Sequence, residues 1–330
     1  MKKTLKLLSL TLAILMILPL ALISCARKAD ENLEIKIYAL NGTTALGMAQ
    51  MIHSTNNDSA AMNYNISLHA SADAITGAIV SGECAIAALP TNAAANLYKK
   101  SQGKLQLLAL NTLGVLYLLD TDNAVSSLND LKGQTVYVPG TGTNPEYITV
   151  ALLEAAGLEV GTDVFVNSKD YNSPDALQAA IENGQVRLAV LPEPKVTVVT
   201  NKKPSVSVAL NLTEEWEAIN GKNTLVQGCL VVNKEFAEAH PAEITQFLKD
   251  YEESVNFIKA GNDAAIDMIV EAKILPNAAV AKKALPKCNL CFIAGEDMKP
   301  LMTSFCQTLH DSNASAVVAV PDDGFYFSAK

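Results

Sequence analysis

Asp73-Ala74-Ile75 through Gly82, followed by Ala85-Ile86-Ala87-Ala88-Leu89-Pro90, is answered further along by Asp175-Ala176-Leu177 through Gly184, followed by Arg187-Leu188-Ala189-Val190-Leu191-Pro192. The two stretches are offset by about 100 residues, and self-similarity at a fixed offset marks a repeated structural unit. Each copy reads as a helix closed by glycine, a short turn, and a buried strand that ends in Leu-Pro. Upstream the pairing continues, Ile37-Tyr38-Ala39-Leu40-Asn41-Gly42-Thr43-Thr44 aligning with Tyr137-Val138-Pro139-Gly140-Thr141-Gly142-Thr143-Asn144. Both are strands that break at a Gly/Thr-rich turn and open a helix. Two copies of strand, helix, strand, helix, strand predict an α/β protein with two parallel-sheet lobes joined by crossover strands.

The remaining chain fills in around the repeat. Leu113-Gly114-Val115-Leu116-Tyr117-Leu118-Leu119 is expected as an apolar crossover strand between the copies. Ser205 to Leu212 and Gly228 to Asn233 bracket a short acidic helix and carry the chain back. Pro241 opens a long amphipathic helix with Ile244, Phe247, Leu248, Tyr251, Val255 and Ile258 on one face. Further helices are expected near Asp263–Ala272 and Asn277–Ala284, a strand near Leu290–Ala294 and a helix over Asp297–His310. The tail from Asp311 to Lys330 shows no period. The expected division is a first lobe over 33–116, a second over 117–227, and a return to the first lobe with C-terminal helices over 228–330.

Composition narrows the function. The chain is 49% hydrophobic and 18% charged, with net charge -9 and no basic cluster longer than a lysine pair, which disfavours nucleic-acid binding. Lys2, Lys3 and Lys6 precede an apolar run from Leu7 to Ile23, the pattern of a secretory leader over 1–24. Its ending, Leu22-Ile23-Ser24-Cys25, resembles the bacterial lipobox, in which the cysteine is lipidated and becomes the mature N-terminus. Residues 25–32 then form a polar tether, and the chain is expected outside the cytoplasmic membrane, held by lipid at Cys25. Beyond Cys25 the cysteines are Cys84, Cys229, Cys288, Cys291 and Cys306, an odd set that makes a poor disulfide framework.

Ligands in open α/β sheets bind outside the carboxyl ends of the strands. The candidate ligand-binding residues are therefore Asn41, Gly42, Thr43, Thr44, Thr91 and Asn92 in the first lobe. In the second they are Thr141, Gly142, Thr143, Asn144 and Glu193. Asn144-Pro145 is a good helix start, and free N–H groups there with threonine hydroxyls beside them are ready donors. Thr and Asn also cap helices with no ligand in view; what favours a site is the recurrence of the signature in both copies. None of these loops holds Lys or Arg, so a neutral or amine-bearing polar ligand is expected over a strongly anionic one. Glu193 reads either as an acceptor for an amine or as a loop carboxylate facing water.

The lipobox, the two lobes, Leu128-Asn129-Asp130-Leu131-Lys132-Gly133 before a strand, and Leu191-Pro192-Glu193-Pro194 together resemble the substrate-binding proteins of ABC importers. Within these, the chain is similar to the type II periplasmic-binding-protein group that includes binders of sulfonates, nitrate and thiamine-pyrimidine precursors. The resemblance runs from Ile35 to about Ala284 and includes the Phe236–Phe257 stretch with His240-Pro241. It implies a hinged cleft, a monomer without cofactor, and delivery of a small molecule to a membrane permease. The rival readings are a ligand-sensing lipoprotein that reports to a receptor and an enzyme on the same fold, as in the thiamine pathway. None of His53, His69, His240 and His310 falls in the four cleft loops, and no nucleophile motif is present. Cys288, Cys291, Cys306 and His310 have a zinc-like spacing. The strand and helix patterns around them read instead as buried thiols, so no metal is expected.

Overall fold

The computed structural model describes residues 28–328; the leader and Cys25 lie outside the described residues. The first copy of the repeat comprises β1 (Ile35–Leu40), a 3-10 helix (Thr43–Met48), α1 (Ala49–Asn56), β2 (Tyr64–His69), α2 (Ala72–Ser81), β3 (Ile86–Pro90) and α3 (Thr91–Lys100). β4 (Leu105–Thr112) stays in this lobe, and the chain crosses to β5 (Leu116–Asp120). The second copy runs through β6 (Thr135–Tyr137), α4 (Asn144–Ala155), β7 (Phe165–Asn167), α5 (Pro174–Glu182), β8 (Leu188–Pro192) and α6 (Lys195–Lys202). After β9 (Ser207–Asn211) and α7 (Leu212–Asn220) the chain returns as β10 (Gly228–Asn233), α8 (Lys234–Ala239), α9 (Pro241–Lys259), α10 (Asp263–Glu271), α11 (Ala278–Ala284), β11 (Leu290–Ala294) and α12 (Met298–Ser312). Among the described residues no helix is long and apolar enough to cross a membrane.

The strands form a six-stranded sheet, β11-β4-β10-β3-β1-β2, and a five-stranded sheet, β7-β6-β8-β5-β9. The repeated strands β2-β1-β3 and β7-β6-β8 pair in parallel, as expected. The sheets as wholes are mixed, because β10 runs antiparallel to β3 and β5 antiparallel to β8. The registers give the reason. Leu116 opens β5 opposite Pro192, where β8 ends, and Gly228 opens β10 opposite Pro90, where β3 ends. A strand arriving from the other lobe enters at the carboxyl edge of the sheet and can only run back from it.

One expected element divides. The strand read over Leu113–Leu119 begins at Leu116, while Leu113-Gly114-Val115 is the crossover itself and β4 precedes it. A Cβ at Gly114 would meet the Thr213 side chain and, at 2.7 Å, Leu225 Cδ2, so the two crossovers press together where only glycine fits.

Both faces of the central strands are buried, which is why they read as unbroken apolar runs. Ile86, Ala88, Leu230 and Val232 face a core shared with α1, α9, α10 and α11. Ala87, Leu89, Cys229 and Val231 face a second core with α2, α3 and α12. That second core continues into the other lobe through α4 and α7, with the Trp216 and Phe305 rings 5.7 Å apart. The aperiodic tail follows the first lobe. Asn96 Nδ2 donates to Ala316 O at 2.9 Å, Val318 N donates to Asn96 Oδ1 at 2.8 Å, and Phe325 is fully buried.

The candidate zinc ligands are dispersed. Cys288 packs into the core with α9 and α11, Cys291 and Cys306 lie in the other core, and His310 Nδ1 is 2.8 Å from Val317 O. Burial raises the thiol pKa values, those of Cys291 and Cys306 to about 12.

Candidate functional site

In the first lobe, the loop after β1 is shaped by its own polar groups. Gly42 takes φ +117, the left-handed region that favours glycine, and its N–H donates to Asn41 Oδ1 at 2.9 Å. Thr44 is buried, its hydroxyl donating to Leu40 O at 3.0 Å. Thr91, at the start of α3, is fully buried and donates to Val226 O at 2.6 Å. Asn92 is buried beside it.

In the second lobe, Thr143 precedes α4 and its hydroxyl turns back to Gly140 O at 2.8 Å and Pro139 O at 3.0 Å. Thr141 and Gly142 are exposed at the rim. Gly142 N donates to Glu146 Oε2 at 2.6 Å, and Ser168 Oγ donates to Glu146 Oε1 at 2.5 Å. A carboxylate thus already occupies a donor of this loop. Asn144 is buried, and its Nδ2 donates to Gln227 O at 3.3 Å. Only the amide nitrogen can donate to a carbonyl. That fixes Oδ1 as the free end, and it is buried without a hydrogen-bond partner.

Gln227 is the residue that sequence reading missed. Its carbonyl also accepts from Thr91 N at 3.2 Å, its N–H donates to Thr112 O at 2.9 Å, and its side-chain Oε1 accepts from Val115 N at 2.7 Å. The side chain and backbone of this one residue thereby fasten the starts of α3 and α4 to both crossovers. Asn111, also missed, donates from Nδ2 to Thr44 O at 3.0 Å and accepts from Thr112 Oγ1 at 3.1 Å. Thr44, Thr91 and Asn144 are therefore joined through one buried polar seam, with Asn111 and Gln227 as links. Neither link had a local signal: each sits at a strand margin in an apolar run.

Glu193 does not face an open cleft. It is 1% exposed, with Oε1 accepting from Thr197 Oγ1 at 2.9 Å and Oε2 from Thr197 N at 3.1 Å, so its carboxylate is spent on the first turn of the following helix α6. Lys287, from the first lobe's return, lies 3.9 Å from Oε1. Burial raises the carboxyl pKa, opposed by the Thr197 bonds and the Lys287 charge. His69 ends β2 next to the loop, its carbonyl accepting from Asn41 N at 2.8 Å. Its ring lies 4.5 Å from that of Tyr38, and Nε2 is buried without a partner. A fifth strand end thus brings a histidine beside the loop after β1.

Two α/β lobes whose strand ends meet across paired crossovers define the periplasmic-binding-protein fold. Residues 103–265 match the family model described as NMT1/THI5 like. Among solved structures, an ABC transporter protein from Parabacteroides distasonis is similar at a TM-score of 0.75 and 22% identity, over 91% of this chain and 100% of that one. The periplasmic aliphatic sulphonate binding protein SsuA from Escherichia coli gives a TM-score of 0.73 and 16% identity, over 92% of this chain and 94% of that one. The alkanesulfonate-binding protein SsuA from Xanthomonas axonopodis pv. citri, bound to MOPS, gives 0.67 and 14%, over 89% and 96%. No curated protein matches the chain in sequence.

Proposed function

We propose that the chain is the extracytoplasmic solute-binding component of an ABC importer, lipid-anchored at Cys25, that captures a small polar molecule between its lobes and hands it to a permease. The observation that carries this reading is the unpartnered Asn144 Oδ1 at the start of α4, on the seam where Gln227 joins the two lobes. A buried acceptor without a donor is costly, and a ligand N–H or O–H relieves that cost. The fold and the ABC-transporter neighbours support transport as the context.

The site favours a neutral or amine-bearing ligand over the sulfonates of the SsuA neighbours. Its loops carry amides and hydroxyls and no lysine or arginine, and the Glu146 carboxylate sits on the Gly142 N–H that an anion would use. Catalysis is not favoured, because the hydroxyls of Thr44, Thr91 and Thr143 each donate to a backbone carbonyl. None is paired with a base that would activate it.

Mass spectrometry of small molecules released on denaturing the purified protein identifies the ligand. Calorimetry on Asn144→Ala should then show binding weakened by about 1–3 kcal/mol. Unchanged affinity in that variant would place the ligand elsewhere and remove the basis for this site.

A further inference from the structure

On the outer helical layer of the first lobe, between α1 and α9, lies a cavity of about 170 Å³. Its walls include Ser54, Ser59, Tyr64, Asp250, Glu253 and Ser254, and no lysine, arginine or histidine. At about 30 Å³ per molecule this is room for roughly six waters, or an organic molecule of similar size.

The walls are built to hold a positive charge. Tyr64 Oη donates to Asp250 Oδ2 at 2.6 Å and Gln246 Nε2 donates to Oδ1 at 2.7 Å, so the Asp250 carboxylate is fixed in direction. The Asp250 charge also raises the Tyr64 phenol pKa, after burial and the hydrogen bond itself, so the phenol stays a donor. Glu253, one turn further along α9, is exposed and brings a second negative charge to the same opening. Ser254 is 1% exposed, and its Oγ is buried with no hydrogen-bond partner. Helical serines ordinarily bond back to the carbonyl four residues earlier or reach solvent; this one does neither. The Ser59 hydroxyl and amide both turn to Ser54 O, at 3.2 and 2.8 Å, which closes one end of the cavity with acceptors already satisfied.

We propose that this cavity is a second binding site, separate from the inter-lobe seam, for a small primary ammonium ion of about two to four carbons. An –NH3+ group offers three donors and needs three acceptors. The Asp250 and Glu253 carboxylates and the orphan Ser254 Oγ supply them. A bare metal ion fits less well, since among the described residues no group of three or more His, Cys, Asp or Glu is placed to hold one. Both α1 and α9 pack on the 3-10 helix Thr43–Met48, which begins at the seam's first-lobe loop.

Ethanolamine is the probe, with propionate, tetramethylammonium and magnesium at matched ionic strength as controls, followed by calorimetry and thermal melting on the purified protein. Saturable 1:1 binding is expected for ethanolamine and not for the controls. Glu253→Gln should weaken it roughly tenfold or more, as loss of a charge-assisted bond does. Ser254→Ala should weaken it several-fold, roughly, while its own ligand-free melting temperature stays equal or rises, because the change removes an unsatisfied buried hydroxyl. Asn144→Ala should leave ethanolamine binding unchanged. No saturable binding, equal binding of magnesium or tetramethylammonium, undiminished binding in both α9 variants, or its loss in Asn144→Ala would each overturn the proposal. The last outcome would move the amine to the inter-lobe seam and leave the transport reading standing.

Discussion

At Gly228 a methyl group would lie 2.6 Å from Asn111 Oδ1, 2.7 Å from Thr44 Cγ2 and 3.0 Å from Thr112 Cβ. All three neighbours belong to the polar seam and are buried, so they have nowhere to move. Gly228→Ala should cost about 1–3 kcal/mol through overpacking. The expected sign is a lower urea midpoint at an unchanged slope, together with weaker ligand binding. Glu193 makes a pH prediction. Its folded pKa is raised by burial, so ionising it costs more in the folded than in the unfolded chain. Its contribution to stability is full below the ordinary carboxylate pKa and declines as pH rises through the raised folded value. Glu193→Gln should flatten that part of the stability–pH curve and leave the acid end unchanged. A wild-type slope that persists in the variant would assign the titration to another group.

Among the elements, α9 lays a long apolar face into the first lobe's helical layer. Pro241 sits in its first turn, where the missing N–H is no loss, and the apolar positions recur at helical spacing to bury Ile244, Phe247, Tyr251, Val255 and Ile258. Phe247 is fully buried, 6.1 Å from the Tyr64 ring and 5.9 Å from the Tyr251 ring. Phe247→Ala should destabilise by about 3–5 kcal/mol, since rigid aromatic neighbours collapse poorly onto a void. Equilibrium denaturation checks this, and a loss below about 1 kcal/mol would show that the layer repacks freely. At α4 the same local logic sets the seam, because Thr143 and Pro145 place the helix start so that the Asn144 side chain reaches Gln227 O.

For the whole molecule, the lobes are linked by two short crossovers, yet they also share a core through α12, α4 and α7. Asn289 fastens the first crossover, donating from Nδ2 to Gly114 O and accepting from Leu113 N at 3.0 Å. A ligand held by both lobes stabilises the closed arrangement by its differential affinity and no more. At 100-fold above its dissociation constant it should add about 2.7 kcal/mol of folding stability, read as a rise in melting temperature. The radius of gyration from small-angle scattering should fall at the same time. A melting shift with no change in radius would mean that the shared core holds the lobes fixed and the site is preformed.

The two-lobed fold was legible because a repeat, a strand period and a glycine stop are properties of neighbouring residues. Ser71, Ser173, Asn262 and Asn277 cap helices in the structure as side chains of their type do anywhere. The strand directions and the site were legible only in part. Antiparallel β5 and β10 follow from where the crossovers enter, which no local pattern records. The residue types of the site were readable, but the hydrogen-bond partner of each was not. Thr91 finds its acceptor 135 residues away at Val226 O, while Glu193 is folded back onto Thr197 four residues on. A hydroxyl or carboxylate takes whichever partner the packed neighbours leave within about 3 Å. The sequence by itself determined two homologous α/β lobes with polar strand ends. Only the tertiary structure decided which of those polar groups are spent on the fold and which, like Asn144 Oδ1, are left without a partner, because burial and long-range contacts, not residue type, set that balance.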